Sequence, residues 1–374
     1  MDTQRNGSEM LEQRNSSRPQ GGLFSQPLVL VVSMYEILVI IFAVTGYALV
    51  TFAMVLNPRL RNICNYFILS MGLADALIVI VIVPVNLGLM LDTLKYDSVT
   101  ACEFVSSINL IAIVAVSLNL CSVSLERFLV IQFPFGYEAF LTQRKAIAMI
   151  FGLWVYAILV GLLPQMGWTN GKTYISSHGS CRRPLSDDYL IFSTVAHFCI
   201  PAAIMIVSNI LVYRVATTQA RRIFKIKIQA SKTAACVYDE QPITEVFRMN
   251  YRAAKRVSII VGTYLICWFP QMSVLLVGLH IGYRSIPPAV FPITLALQYT
   301  SSAVNPCIFC FMNRELKATL KHVFRSRFPF CKRLLRFPSE PNVGSEFQST
   351  PRDELSGTGY LSARSARSSQ CTTV

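Results

Sequence analysis

The chain has 374 residues, of which 53% are hydrophobic and only 14% charged, well below the quarter or so of charged residues that soluble domains carry. Its net charge of +14 raises nucleic acid as a partner. The basic residues, however, sit in clusters between apolar runs of about 20 residues, so the composition calls for a bilayer and sets nucleic acid aside.

Residues 1–27 are polar and contain no apolar core of a cleavable signal peptide. Asn6 and Asn15 begin N-x-Ser sequons there, so the segment is expected to be a disordered, extracellular, glycosylated N-terminus. Mostly apolar runs follow at 28–56, 65–91, 102–131, 147–167, 189–213, 256–279 and 287–311. Each is long enough for a membrane-spanning helix, which satisfies its own backbone groups in lipid. The spacing therefore predicts an all-α integral membrane protein whose seven-transmembrane domain occupies 28–311. Basic clusters at Arg59/Arg61, Arg144/Lys145, the segment from Arg214 to Arg256, and beyond Arg314 all fall on one side, which the positive-inside bias makes cytoplasmic. The loop 214–255 is expected to extend its two flanking helices.

Asp75 lies deep in the second run, where an ionisable side chain is costly unless paired or hydrated. Asn305, Ser301 and Ser302 in the last run are its expected polar neighbours, forming either a sodium site or a structural hydrogen-bond network, and no other metal site is expected. The adjacent Glu126–Arg127 pair closes the third run. Pro84, Pro164, Pro201, Pro270 and Pro306 fall in or near the ends of five runs and predict local helix distortions. Of the 11 cysteines, only Cys102 and Cys181 face the oxidising side. One disulfide between them is expected, with two free outer thiols as the alternative. Beyond the last run, 312–326 has the pattern of a short amphipathic eighth helix on the inner leaflet. Cys331 lies among basic residues as a palmitoylation candidate or a plain thiol. The tail 327–374 is expected to be disordered, and Thr372 and Val374 have the spacing of a PDZ-binding end, which short motifs also match by chance.

Together these features resemble the rhodopsin-like (class A) G-protein-coupled receptors over about residues 28–325. LADA around Asp75, Cys102, LERF with Glu126–Arg127, Trp154, Pro201, CWFP from Cys267 to Pro270 and NPCIF from Asn305 to Phe309 follow in the family's order. There are departures. Tyr47 stands where the family usually has Asn, and Glu126 and Phe128 stand for Asp and Tyr. Asn209 and Phe309 each replace a tyrosine. Locally, Glu36 in MYEILVIIFAVTG, the stretch LPQMGW and the stretch NYRAAKRVSIIVG look similar to adenosine-type and other small-molecule receptors. Yet Leu275 replaces the Asn that holds a purine there, and Tyr299 replaces a His. Asn109 stands where monoamine receptors carry an Asp for the ligand ammonium, and the seventh run has no Lys for retinal.

The resemblance implies a receptor that passes a small-molecule or small-peptide signal to a heterotrimeric G protein at the plasma membrane. Arrestin and receptor kinases would meet the tail. Implied ligand contacts are Asn109, His197, Trp268, Gln271, Gln298, Tyr299 and Glu36, with Asn86 at the margin. Implied switch and coupling residues are Glu126, Arg127, Trp268, Pro270, Asn305, Pro306 and Phe309, with Phe135 docking into the G protein. An acid that often locks the inner end of span six is absent at Asn250, which predicts noticeable basal signalling. No HExxH, GxSxG or clustered metal ligands occur in the spans, so neither an enzyme nor a cofactor is expected. The rival readings are a receptor-fold partner or trafficking subunit without ligand signalling, and a transporter, for which Asp75 and Glu36 are the intramembrane charges but no internal repeat is visible.

Overall fold

The computed structural model describes residues 26–133, 136–137, 141–176, 179, 181–232 and 241–327. The features expected at Asn6, Asn15, Phe135, Cys331, Thr372 and Val374 lie outside them, as do nearly all of the two polar termini. Seven long helices and a short eighth make up the described part. Helix α1 is Gln26–Leu56, and α2 runs Ile63–Leu77, through a π turn at Ile78–Ile82, to Val83–Met90. Helix α3 is Val99–Gln132, and α4 is Gln143–Leu162 with a 3-10 turn, Leu163–Met166, at its end. Helix α5 runs Asp187–Thr194, a π turn at Val195–Cys199, then Ile200–Lys232. Helices α6, α7 and α8 are Gln241–Ile281, Val290–Met312 and Arg314–Arg327.

Polar caps set several of the helix starts. The side chains of Asn62, Ser98, Thr142 and Ser186 accept a backbone N–H from the first turn of α2, α3, α4 and α5, and Asn313 Oδ1 does the same for α8. The prolines act in two ways. Pro84 and Pro201 each follow a π turn, where the ladder widens just before a residue that cannot donate, and Pro164 sits in the 3-10 end of α4. Pro270 and Pro306 lie inside unbroken α6 and α7.

Six of the described helices are long and apolar enough to cross a membrane. Helix α7, at 23 residues, reaches about 34 Å at 1.5 Å per residue, also enough to span. It is less apolar because Gln298, Ser301, Ser302 and Asn305 turn inward and are buried. Outward positions are the reverse: Leu30, Phe52, Phe151, Ile266 and Phe269 are apolar and exposed, as a lipid-facing surface requires. This is a helical bundle of a multi-pass membrane protein.

Association of helices in lipid relies on close packing and on interhelical hydrogen bonds. The α1–α7 seam shows both along its length. Tyr35 and Thr300 hydroxyls meet at 2.5 Å, Gly46 leaves so little room that an added Cβ would lie 2.8 Å from the Pro306 ring, and Asn57 Nδ2 donates to Thr319 Oγ1 of α8 at 2.9 Å. On the opposite side of the bundle, Gly161 of α4 packs on Ile111 of α3, where a Cβ would approach to 2.4 Å. Trp154 Nε1 donates across from α4 to Ser70 of α2 at 3.0 Å.

Between α4 and α5 a two-residue pair of strands, β1 (Tyr174–Ile175) and β2 (Cys181–Arg182), runs antiparallel with Ile175 opposite Cys181. Cys181 is disulfide-bonded to Cys102, with Cα atoms 5.6 Å apart. The bond fixes this hairpin to the first turn of α3 and marks one end of the bundle; Arg127 marks the other.

Candidate functional site

At mid-bundle, Asp75 is wholly buried and fully engaged. Its Oδ1 accepts from Ser302 Oγ at 2.6 Å, and its Oδ2 accepts from Asn305 Nδ2 at 3.2 Å and from the Tyr47 phenol. Tyr47 crosses from α1 because α2 offers no side chain at Gly72, where a Cβ would stand 2.7 Å from the Tyr47 ring. Ser301, grouped with Asp75 on sequence, belongs elsewhere: it accepts from Trp268 Nε1 at 2.9 Å and donates to its own helix. Neighbours on a helix point about 100° apart, so Ser302 faces α2 while Ser301 faces α6.

Trp268 is therefore tied to α7 by its indole N–H. It also packs on Tyr264, ring centroids 4.8 Å apart, and Tyr264 on Phe198 of α5 at 6.2 Å. Pro270 follows two residues on, so an aromatic block lies directly below a missing backbone hydrogen bond.

The residues expected to contact ligand include two that bridge helices. Gln271 Oε1 accepts from Thr294 Oγ1 at 2.5 Å, linking α6 to α7, and Asn86 Nδ2 donates to the Tyr299 phenol at 2.6 Å, linking α2 to α7. Gln298 is buried and Asn109 is half-buried on α3. Glu36 is buried on α1. His197 is placed differently. Its Nδ1 lies 3.2 Å from the Ser193 carbonyl, which can only accept, so Nδ1 carries a proton. In the neutral ring Nε2 then accepts from Tyr156 of α4 at 3.0 Å. Both nitrogens are occupied in the α4–α5 seam, and Phe192 stands edge-on to the ring at 5.3 Å.

The loop beneath the disulfide contains a cation that sequence reasoning missed. Arg183 Nη1 donates to Ser107 of α3 at 3.1 Å, and Gln165 donates to the same hydroxyl at 3.0 Å. Burial pulls the Arg183 guanidinium below its ordinary pKa, with Glu103 opposing the shift.

At the other end Arg127 pairs with Glu126 through Nε and through Nη2, the latter at 2.5 Å. Glu126 is buried, at 2% exposed, and its Oε1 also accepts the Tyr137 phenol at 2.6 Å. Burial and the Glu126 carboxylate push that phenol well up from its ordinary value. Tyr137 was not found from the sequence, because a loop residue has no periodicity to reveal its direction. A cavity of about 30 Å³, too small for more than a water or two, lies beside Arg127, walled by Cys64, Arg256, Ile260 and Phe309. Asn209, noted on sequence only as a departure, accepts the Ser258 hydroxyl at its Oδ1 at 2.6 Å, which joins α5 to α6.

Comparison with known proteins agrees with this arrangement. The family described as 7 transmembrane receptor (rhodopsin family) matches residues 46–309. The chain is 27% identical to the octopamine receptor beta-1R of Drosophila melanogaster over 316 residues, 79% of this chain and 62% of that receptor. It is 27% identical to the alpha-1D adrenergic receptor of Rattus norvegicus over 350 residues, 86% of this chain and 62% of that receptor. It is also 27% identical to the histamine H2 receptor of Rattus norvegicus over 310 residues, 82% of each. The chain thus spans under two thirds of the length of the first two. These relatives are named for amines, and none of the three is an adenosine-type receptor.

Proposed function

This chain belongs to the seven-transmembrane receptors of the rhodopsin family, and we propose that it converts the binding of a small organic molecule into activation of a heterotrimeric G protein. The observation that carries the reading is the Arg127 end. Arg127 is held by Glu126, Glu126 is held again by Tyr137, and the cavity beside them is only about 30 Å³. A ligand that binds better to a conformation in which this end opens shifts the population toward it. The ligand site lies in the disulfide half, around Asn109, Gln271, Gln298, Tyr299 and Glu36. The names of the relatives support an amine.

Trp268 relays the change. Its indole bond to Ser301 and its stacking on Tyr264 mean that a shift of α7 or α6 moves the aromatic block. Below it, Asn305, Pro306 and Phe309 lead from Asp75 to the Arg127 cavity. Phe135, next to this cluster in sequence, docks on the G protein. His197 serves the α4–α5 seam. The receptor sits in the plasma membrane with the disulfide end outside, Asn6 and Asn15 glycosylated, and Cys331 lipidated on the inner leaflet. Arrestin, receptor kinases and a PDZ protein meet the tail, the last at Thr372 and Val374. A ligand screen read by G-protein dissociation tests the proposal, with Arg127→Ala as control. Responses that persist in Arg127→Ala, or transport of a solute with no G-protein response, refute it.

A further inference from the structure

Three acids are buried among the described residues: Asp75, Glu126 and Glu36. Asp75 accepts from Tyr47, Ser302 and Asn305, and Glu126 from Arg127 and Tyr137. Glu36 has no such set. It is 3% exposed, and its Oε2 meets no protein donor. The two ion pairs among the described residues, Lys95–Asp92 and Arg127–Glu126, leave it out.

The surroundings of Glu36 come from three helices. The Tyr35–Thr300 contact fixes this turn of α1 against α7. Tyr299, next on α7, lies within the field of the Glu36 carboxylate, and Asn86 reaches it from α2. Ser33, nearly one turn before Glu36, is also buried with its hydroxyl unpartnered. A buried carboxylate without a positive partner either takes up a proton or waits for a cation. A hard metal ion needs about six oxygens, more than one carboxylate with neighbouring hydroxyls supplies, and no group of three acid, His or Cys ligands occurs among the described residues. An organic cation needs only the charge and one or two acceptors.

We propose that Glu36 is the counter-ion for an ammonium or guanidinium group of the ligand, held between α1, α2 and α7 beside the Asn86–Tyr299 pair. The proposal rests on the small-molecule receptor reading above and adds the residue that receives the ligand's charge. Asn109 on α3 is uncharged and contributes hydrogen bonding only. The ligand's cation therefore lies toward α1 and α7, and the rest of the molecule extends toward Gln271 and Asn109.

The test is thermal unfolding of the purified full-length chain with 2-phenylethylamine, octopamine and histamine as probes at millimolar concentration, and with 2-phenylethanol as the uncharged counterpart. At least one amine is expected to raise the unfolding midpoint by about 2 °C or more, as binding at roughly ten times Kd would give, while 2-phenylethanol does not. Glu36→Gln keeps the shape and the hydrogen-bonding capacity of a protonated carboxyl and should lose the amine shift. Should that variant fail to fold, Glu36→Asp keeps the charge but draws it back toward α1, and the same shift should then need a higher amine concentration. The proposal is overturned if no amine stabilises the wild-type chain, if the neutral alcohol does so equally, or if the shift survives unchanged in the variant that folds. Amine stabilisation that depends on Glu36 in a chain that drives no G-protein dissociation would refute the receptor reading and leave this one standing.

Discussion

Replacing Tyr47 by Phe deletes one oxygen and leaves the ring where it packs on Gly72. The Asp75 Oδ2 is then left with the 3.2 Å bond from Asn305, while Oδ1 keeps Ser302. Asp75 is wholly buried, so water cannot replace the lost donor cheaply. A hydrogen bond to such a group contributes about 1.5–3 kcal/mol. At about 2–4 °C per kcal/mol for a larger domain, the unfolding midpoint should fall by roughly 3–12 °C. The assay is thermal unfolding of the purified protein, run as a double-mutant cycle with Asp75→Asn. If the loss comes from this bond, most of it should vanish in the Asp75→Asn background, giving a coupling of at least about 1 kcal/mol. A loss below about 0.5 kcal/mol, or one undiminished beside Asp75→Asn, refutes the account of Tyr47 as the donor that completes Asp75.

Because three protein donors already engage Asp75, exchanging sodium chloride for potassium chloride should leave the unfolding midpoint within about 1 °C; a larger sodium-specific rise identifies a cation at Asp75 instead. Ser258→Ala cuts the hydroxyl bridge from α6 to Asn209 of α5. At about 1 kcal/mol for one hydrogen bond, it should raise basal G-protein dissociation about fivefold at matched surface expression, and unchanged or lower basal activity counts against the bridge as a restraint. Cys181→Ala opens a loop whose ends are 79 residues apart in sequence. It should cost about 2–5 kcal/mol, seen as a lower midpoint and reduced surface expression, and an unaffected midpoint shows that the hairpin is held by other contacts.

Much of the architecture was legible because the bilayer sets the length of every span, so apolar runs at 28–56 and onward became helices with ends shifted by a few residues, except where α5 and α6 run on to Lys232 and back to Gln241, as expected of the loop 214–255. The caps at Ser98, Thr142 and Ser186 start their helices a few residues before the apolar runs at 102, 147 and 189, because a polar first turn carries no hydropathy signal. The prolines were visible, but not that Pro84 and Pro201 would be preceded by π turns, which depend on how neighbouring helices hold the freed carbonyls. Polar positions on α7 were readable as a group. Which of Ser301 and Ser302 faces Asp75 was not, since that depends on the rotation of the helix in the bundle. Neighbours on a helix do not face each other well, so the Glu126–Arg127 pair needs bending or other partners. The partner, Tyr137, came from a loop that offers no pattern to read. Tyr47 showed as an unusual residue, and only the gap at Gly72 explains its reach.

The contacts along α1 divide the bundle mechanically. Tyr35–Thr300, Gly46–Pro306 and Asn57–Thr319 rivet α1 to α7 and α8 from one end to the other. Helix α6 is fastened at both ends by different neighbours: Thr294 and Ser301 of α7 hold its disulfide half, and toward Arg127 the Ser258 hydroxyl bridges it to Asn209 of α5. The riveted helices therefore form the stator of this machine. In the proposed switch the arm of α6 that reaches toward Arg127 is the lever, and the fulcrum falls near Pro270.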